Sequence, residues 1–300
     1  MRSPGAVVPM ATPIDGRTGN VDVTALENYT DFLLDGGVHG LFPCGSIGEF
    51  SSLTAAQRER VIETVASRAD GASVFAGCGD TSVETVREHV DAAADAGADA
   101  AVVVTPYYLR TTQDGLLDFY AAVADDSPLP ILLYDIPGLT GHHLSVETVS
   151  ELAEHEAVVG LKDTSGDLTY HRDLIEATPP SFTVLQGATE LAVAALDAGA
   201  DGIIAGPANV FPAALAELVS SHDRGDRDRA VELSNAVVGP VVSATSEIPT
   251  AAALKYLVSL ACRDIGPPLP PLPTLSSRQR RRLDRCYERV ARAVGAGDVA

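Results

Sequence analysis

The feature that most constrains the fold is a repeat in which short apolar runs alternate with longer amphipathic stretches. Apolar runs of this length, bounded by turn-forming residues, predict buried strands. The stretches between them have a helical period and begin at an Asp, Ser or Thr suited to capping, as at 22–37 and 81–97. Several end in a glycine that predicts a helix stop, as in the tails DAGADAA and DAGADGI. The eight predicted strands are 5–13, 40–45, 73–79, 100–106, 130–137, 158–165, 182–189 and 202–209.

Eight consecutive βα units predict an α/β protein with the (β/α)8 TIM-barrel fold, since strands covered on both faces are continuously apolar. A doubly wound sheet is the alternative, but even spacing without a domain break favours closure into a barrel. We assign residues 1–223 to the barrel. Residues 224–300 form a predicted C-terminal helical extension packed on it.

The extension contains a Pro-rich connector, 266–276, and then a strongly basic stretch, 278–294. A basic stretch raises the alternative of a nucleic-acid-binding tail. Its apolar residues at helical spacing are Leu283, Tyr287, Val290 and Val294. This spacing favours an amphipathic helix that packs on the barrel and presents an arginine-rich outer face.

The formal net charge of −20 argues against nucleic acids and anionic membranes as partners, because both would repel the protein. The acidic excess, with lysine only at Lys162 and Lys255, resembles proteins of a high-salt cytoplasm. At 1 M salt the Debye length is about 3 Å, so charges of like sign are screened. The N-terminus lacks a signal-peptide pattern, and no apolar run has the length of a membrane span. We therefore expect a soluble, cytoplasmic, halophilic protein.

Lys162 is unusual because it lies inside the apolar run 158–165 of a chain whose other basic residues are almost all arginine. Arginine stays protonated, whereas a lysine amine can lose its proton and attack a carbonyl. The structural alternative is a partly buried lysine paired with Asp163 or Asp167.

No pattern for a metal or a nucleotide is present. The four cysteines show no CxxC spacing, and the chain has neither GxGxxG nor a GKS/T loop. The pair His142 and His143 lacks further ligands at suitable spacing. We therefore predict an enzyme without a metal or an organic cofactor.

In a barrel of this kind, functional residues stand at the carboxyl ends of the strands. There the sequence has GSIGE at 45–49, TPYY at 105–108, YDIPGLTG at 134–141 and GLKDTSGD at 160–167. Together with Thr-Pro at 12–13, these pieces resemble the dihydrodipicolinate synthase / N-acetylneuraminate lyase superfamily of class I, Schiff-base aldolases. The superfamily patterns are G-[ST]-T-G-E, Y-N-x-P-x-x-T-G and G-x-K-[DE]-[ST]-x-x-D. The resemblance runs from about residue 4 to the end of the chain.

The resemblance implies the catalytic roles. Lys162 would form the Schiff base with pyruvate or another 2-keto acid, and Tyr134 would shuttle protons beside it. Ser46 would supply the hydroxyl that links two tyrosines into a proton relay. Tyr108 matches a tyrosine that one subunit lends to its neighbour, which implies a homo-oligomer of at least two subunits. We expect a homotetramer built as a dimer of dimers, with a dimer as the alternative.

The resemblance also implies substrate contacts. The backbone amides of Ser46 and Ile47 would bind the keto-acid carboxylate, as amides exposed in turns can. Gly187 and Ile204 match positions near the bound keto acid, and Thr140 matches the threonine of the family's T-G pair.

Two departures from the family patterns affect the substrate. Ile47 replaces the second threonine of the glycine-rich motif. Leu139 stands where dihydrodipicolinate synthases typically carry an arginine for the carboxylate of aspartate semialdehyde. The sequence therefore favours an aldolase that cleaves a 2-keto-3-deoxy sugar acid such as 2-keto-3-deoxygluconate. Arg110 would contact a distal hydroxyl or a phosphate of the substrate, so the 6-phosphorylated sugar acid is a further candidate substrate. The alternative is that Arg110 is a loop arginine exposed to solvent.

Three alternatives remain. A 4-hydroxy-tetrahydrodipicolinate (dihydrodipicolinate) synthase would need another arginine in the site. A Schiff-base dehydratase would expel water from a deoxy-keto sugar acid. A catalytically silent binding barrel is disfavoured because both Lys162 and Tyr134 are present.

Overall fold

The computed structural model describes residues 4–295, and its central feature is a closed barrel of parallel strands. Each strand pairs with the next one along the chain, and the first pairs with the last through Ala6 and Ile203. The strands are β1 (Gly5–Pro9), β2 (Gly40–Phe42), β3 (Ser73–Gly77), β4 (Ala100–Val104), β5 (Ile131–Asp135), β6 (Val158–Asp163), β7 (Thr183–Gln186) and β8 (Gly202–Ile204). The predicted (β/α)8 barrel is confirmed, and the doubly wound alternative is wrong.

Helices lie between the strands and continue beyond the last one. They are α1 (Val23–Asp35), α2 (Ala55–Arg68), α3 (Val83–Asp95), α4 (Gln113–Ala124), α5 (Pro137–Thr140), α6 (Val146–Leu152), α7 (Leu168–Ala177), α8 (Ala192–Asp197), α9 (Pro212–Asp223), α10 (Arg227–Leu233), α11 (Gly239–Thr245), α12 (Thr250–Ala261) and α13 (Ser277–Ala293). Short 3₁₀ turns lie at Phe50–Ser52, Thr189–Leu191 and Gly206–Asn209, and a π turn lies at Ser234–Val238.

The helix ends follow the predicted local chemistry. The side chain of Asp22 accepts a hydrogen bond from the amide of Ala25, and that of Ser82 accepts one from Thr85, so each satisfies an amide left free at a helix start. After α3, Gly97 has φ +89°, a conformation that glycine adopts without steric cost. The caps and glycines therefore fix where each crossover begins and ends.

The strands are shorter than the predicted apolar runs. β4 ends at Val104 although the run continues to Pro106, and β5 ends at Asp135, two residues before Pro137. Proline has no amide to donate to a neighbouring strand. The residues that follow each strand therefore turn into the loops at the mouth of the barrel.

The core has two layers, because each strand is buried on both faces. The inner layer fills the barrel and the outer layer lies between strands and helices. The inner layer consists of Val7, Phe42, Phe75, Ala100, Val102, Val104, Leu132, Tyr134, Leu185 and Ile204. The larger outer layer includes Leu133 and Leu161, whose strand neighbours Tyr134 and Lys162 face inward.

The basic C-terminal stretch forms α13, which packs on the rest of the chain through one apolar face. Leu283 and Val290 are buried, and the ring of Tyr287 stacks on Phe211 with centroids 5.7 Å apart. Its arginines lie on the other side, where Arg282 pairs with Glu247 at 2.5 Å. The prediction of a packed amphipathic helix is confirmed. Within residues 4–295, no helix combines the length and the apolar character needed to cross a membrane.

Candidate active site

Lys162 and Tyr134 lie side by side inside the barrel. They are register partners on β6 and β5, and both side chains are nearly buried. The Lys162 Nζ atom is 3.9 Å from the centroid of the Tyr134 ring and 5.0 Å from that of Phe42. These distances are within the range of a cation–π contact. Aromatic faces therefore surround the amine on the side of the barrel interior.

The structural alternative for Lys162, an ion pair with Asp163 or Asp167, is wrong. Successive strand residues point to opposite faces, so Asp163 faces the helices. There its carboxylate bonds His171 Nδ1 at 2.9 Å and accepts the Ser165 amide at 2.8 Å. Asp167 caps α7 through the amides of Thr169 and Tyr170. In the described part of the chain, no carboxylate pairs with the Lys162 amine.

A cavity of about 410 Å³ opens above the lysine at the carboxyl end of the barrel. The predicted site residues that line it are Lys162, Tyr134, Ser46, Ile47, Gly187 and Ile204. Residues of five strand ends thus meet in one cavity, because the carboxyl ends of all strands of a parallel barrel lie on the same side. A larger cleft of about 710 Å³ lies at the opposite, amino-terminal end, beside Asp31 and Arg68.

The turn at residues 45–50, which we call the amide loop, contributes the predicted carboxylate-binding groups. It is closed by hydrogen bonds from the Glu49 amide to the Ser46 carbonyl at 3.2 Å and from the Phe50 amide to the Gly45 carbonyl at 3.4 Å. Within residues 4–295, the amides of Ser46 and Ile47 have no acceptor. Two free amides in a turn beside a lysine can hold a carboxylate.

Gly187 provides the space that the lysine needs. A methyl group built on Gly187 would collide with the Thr164 hydroxyl and would lie 2.9 Å from Lys162 Cε. A larger residue at this position would therefore displace the lysine side chain.

The outer part of this cavity contains a set of hydroxyl groups that were not predicted from the sequence. The Thr164 Oγ1 atom is buried and has no hydrogen-bond partner among the described residues. Besides Ser46 and Tyr134, the other hydroxyl residues that line the cavity are Ser165, Thr189, Thr245, Ser246 and Thr250. The position of Thr164 could have been predicted from the sequence, because it follows Lys162 by two residues and so lies on the same face of the extended chain.

Three predicted site residues lie apart from the Lys162 cavity. Tyr108 is 93% exposed and Arg110 is exposed, and neither lines the cavity in a single chain. Thr140 lines an adjoining cavity of about 370 Å³. Its hydroxyl accepts from Thr105 Oγ1 at 2.9 Å and donates to the His142 carbonyl at 3.1 Å, so it holds the loop in place.

The two histidines of this loop have structural partners. His142 Nδ1 lies 2.8 Å from the Pro106 carbonyl, and its Nε2 accepts the Thr111 amide at 3.0 Å. His143 Nδ1 lies 2.6 Å from the carboxylate of Asp135. Burial raises the pKa of Asp135 to about 6, against the lowering effect of His143. Among residues 4–295, no three His, Cys, Asp or Glu side chains are grouped as metal ligands.

Comparisons with known proteins agree with this geometry. The model of the Dihydrodipicolinate synthetase family matches residues 2–289. A 4-hydroxy-tetrahydrodipicolinate synthase of Methanopyrus kandleri is 37% identical over 273 residues, which covers 89% of this chain and 90% of the relative. An uncharacterized DapA-like lyase of Halobacterium salinarum is 35% identical over 281 residues, covering 93% and 91%.

Solved structures show the same similarity. YagE of Escherichia coli K12, a prophage protein of the dihydrodipicolinic acid synthase family in complex with pyruvate, superposes with a TM-score of 0.91 at 29% identity. The alignment covers 96% of this chain and 98% of YagE. A dihydrodipicolinate synthase of Bacillus anthracis gives a TM-score of 0.92 at 28% identity, with coverage of 96% and 98%.

Proposed function

The chain belongs to the dihydrodipicolinate synthetase family, and we propose that it is a class I lyase that forms an imine between Lys162 and pyruvate. Members of this family are pyruvate-dependent carbon–carbon lyases and synthases. The observation that carries the proposal is the Lys162 amine, which lies against the Tyr134 ring without a carboxylate partner among the described residues. The free amides of Ser46 and Ile47 beside it supply a place for the pyruvate carboxylate.

The proposed chemistry uses the chain's own side chains, without a metal or an organic cofactor. The neutral Lys162 amine adds to the C2 carbonyl of the 2-keto acid, and loss of water gives a protonated imine. In the cleavage direction, a base removes the proton of the C4 hydroxyl and the C3–C4 electron pair moves into the imine. The aldehyde leaves, the resulting enamine takes a proton at C3, and water releases pyruvate from Lys162. Tyr134, beside the amine, is the proposed proton carrier, with Ser46 as its relay partner.

For the aldehyde, the relatives and the cavity favour different substrates. The names of the relatives support 4-hydroxy-tetrahydrodipicolinate synthase, the alternative of the sequence analysis, better than the aldolase interpretation. The cavity favours an uncharged, hydroxylated aldehyde. Lys162 is the only cation among the described residues that line it, Glu190 adds a negative charge, and Leu139 is 69% exposed at its edge.

We therefore propose a 2-keto-3-deoxy sugar acid as the substrate, with the synthase as the second candidate. The unpartnered Thr164 hydroxyl and the neighbouring serines and threonines are suited to a polyol chain. A substrate carboxylate would meet hydroxyls and the Glu190 carboxylate there, without the charge-assisted bond that an arginine gives.

A substrate panel tests this choice. Pyruvate is incubated with glyceraldehyde, glyceraldehyde 3-phosphate or aspartate semialdehyde, and kcat/KM is measured for each. A charge-assisted hydrogen bond contributes about 1.5–3 kcal/mol, so its absence predicts a preference of about tenfold to a hundredfold for glyceraldehyde over the semialdehyde. A preference for aspartate semialdehyde would replace the aldolase with the synthase.

We also propose that the enzyme acts as an oligomer adapted to high salt. Support comes from the exposure of Tyr108 and Leu109, which are 93% and 75% exposed, and from the net charge of −20. Sedimentation and thermal unfolding at low and at molar KCl test both points. A fully active monomer, or a protein that unfolds no more easily at low salt, would contradict them.

A further inference from the structure

The second lysine of the chain, Lys255, forms a buried ion pair with Glu49 of the amide loop. Lys255 Nζ on α12 donates to Glu49 Oε1 at 2.7 Å, and both side chains are about 1% exposed. The other carboxylate oxygen of Glu49 accepts the amide of Leu269 at 2.6 Å. One buried carboxylate thus joins the loop after β2 to a helix and to the Pro-rich connector, more than 200 residues away in sequence.

Glu49 lies in the amide loop, which also carries the free amides of Ser46 and Ile47. The amide loop is also bonded to the segment that follows β1, because Thr12 Oγ1 donates to the Gly48 carbonyl at 2.7 Å. The helix that carries Lys255 also borders the cavity through Thr250 and Leu254. The ion pair therefore connects two walls of the same cavity without lining the cavity that contains Lys162.

The backbone of Glu49 shows why the loop needs this anchor. Glu49 has φ +59° and ψ +34°, the left-handed region that a residue with a side chain rarely adopts. Such a conformation persists only where the surrounding structure holds it. The contacts of the Glu49 carboxylate with Lys255 and Leu269 hold the Glu49 backbone in this conformation. The Glu49 amide donates to the Ser46 carbonyl, so the position of Ser46 depends on these contacts as well.

We propose that Glu49 and Lys255 are positioning residues that set the Ser46 and Ile47 amides for the carboxylate of the keto acid. This inference rests on the proposed function, because it assumes that a keto acid binds at Lys162. Groups in a binding site must be held to within about 0.5 Å, and turns hold such positions only when supporting contacts fix them. A loop released from Lys255 would keep its residues but lose the alignment of its amides.

The test compares imine formation by a ketone that has a carboxylate with one that lacks it. Pyruvate and acetone are each trapped on the enzyme with cyanoborohydride, and the rate of labelling of Lys162 is followed by mass spectrometry. The variant is Glu49→Leu/Lys255→Met, which replaces both charges by apolar groups and leaves no unpaired buried charge. The control is Asp31→Leu/Arg68→Met, which removes an aspartate–arginine pair at the opposite end of the barrel.

We expect the ratio of pyruvate to acetone labelling to fall by about tenfold or more in the Glu49/Lys255 variant and to stay unchanged in the control. Acetone labelling should persist, because it requires only the Lys162 amine. A merely structural pair would lower the unfolding temperature and leave the ratio unchanged, and that result would overturn the inference.

A second variant covers the case in which the double variant does not fold. Glu49→Gln keeps an oxygen for Lys255 but loses the acceptor for the Leu269 amide, so the ratio should fall by a smaller factor. A wild-type ratio in folded Glu49→Gln would also overturn the inference. If wild-type enzyme is labelled by neither ketone, the proposed function fails instead, and the two failures are distinct.

Discussion

The two lysines of the chain have different surroundings, and we propose that these surroundings give them different roles. Lys255 is buried against the Glu49 carboxylate at 2.7 Å, whereas Lys162 is buried against the faces of Tyr134 and Phe42. Burial lowers the pKa of Lys255, and Glu49 opposes that shift. An ammonium held by a carboxylate is an anchor, while an amine that faces aromatic rings and an open cavity is free to react. The difference lies in the partners and not in the depth of burial.

The largest expected effect comes from removing the amine of Lys162, the proposed nucleophile. Lys162→Arg keeps a positive charge in the barrel but cannot form an imine, since a guanidinium stays protonated. We expect kcat/KM to fall by more than about a thousandfold, as when other catalytic nucleophiles are removed. Circular dichroism and the unfolding temperature should show a folded protein. Substantial remaining activity in this variant would mean that the amine of Lys162 is not the nucleophile.

The two lysines should differ most clearly in stability. Lys255→Met leaves the Glu49 carboxylate buried without its partner, which costs about 3–5 kcal/mol of unfolding free energy. Lys162→Met removes a nearly buried amine that has no carboxylate partner in residues 4–295, so we expect no loss of stability. Urea unfolding of both variants measures the contrast. Equal destabilisation by the two substitutions would remove the distinction between anchor and nucleophile.

The strand carboxylates of Asp135 and Asp163 face away from Lys162, and Asp135 should give a pH effect on stability. Burial raises the pKa of Asp135 from its ordinary 3.8 to about 6, so the folded state binds the proton more tightly than the unfolded state does. The unfolding free energy should therefore fall as the pH rises from about 4 to about 6, by at most about 3 kcal/mol. Asp135→Asn should abolish this part of the pH dependence.

The titratable groups that face Asp135 are the half-exposed His143 and the buried Asp163, Tyr120 and Tyr170. The exposed substitution Asp118→Asn is the control and should leave the pH profile as it is in the wild type. If Asp135→Asn shows the wild-type slope between pH 4 and 6, the titration belongs to another group.

A smaller effect is expected at the edge of the cavity. Leu139→Arg adds the cation that a substrate carboxylate lacks, so kcat/KM with pyruvate and aspartate semialdehyde should rise by about tenfold. Labelling of Lys162 by pyruvate should change little. Leu260→Arg is the control, because Leu260 is also an exposed leucine but lines neither cavity at the mouth. An equal response to both substitutions would show a general charge effect and not a specific contact.

The sequence predicted the barrel and the meeting of Lys162, Tyr134 and Ser46, because both follow from local patterns. Apolar runs and helix caps specify the βα units, and closure of parallel strands places all their carboxyl ends on one side. The partners of Lys255, Thr140 and His142 were not predictable in this way. They depend on how loops fold, as with the left-handed Glu49, and join positions far apart in the chain.

The same limit applies to the predicted site residues that lie outside the cavity. Tyr108 and Arg110 follow β4 closely in sequence, yet the loop that carries them leads outward, with Tyr108 at φ +79°. Proximity to a strand end therefore predicts that a residue lies near the mouth. It does not predict the direction of the side chain.

The most direct test of the central claim is to treat the wild-type enzyme with pyruvate and borohydride and to locate the added mass by peptide mapping. The contrast between the two lysines predicts a single pyruvate-derived adduct on the peptide that contains Lys162, with loss of activity in proportion to labelling. Borohydride alone should leave the enzyme active. Labelling of Lys255, or no labelling of either lysine, would contradict the assignment of Lys162 as the Schiff-base residue.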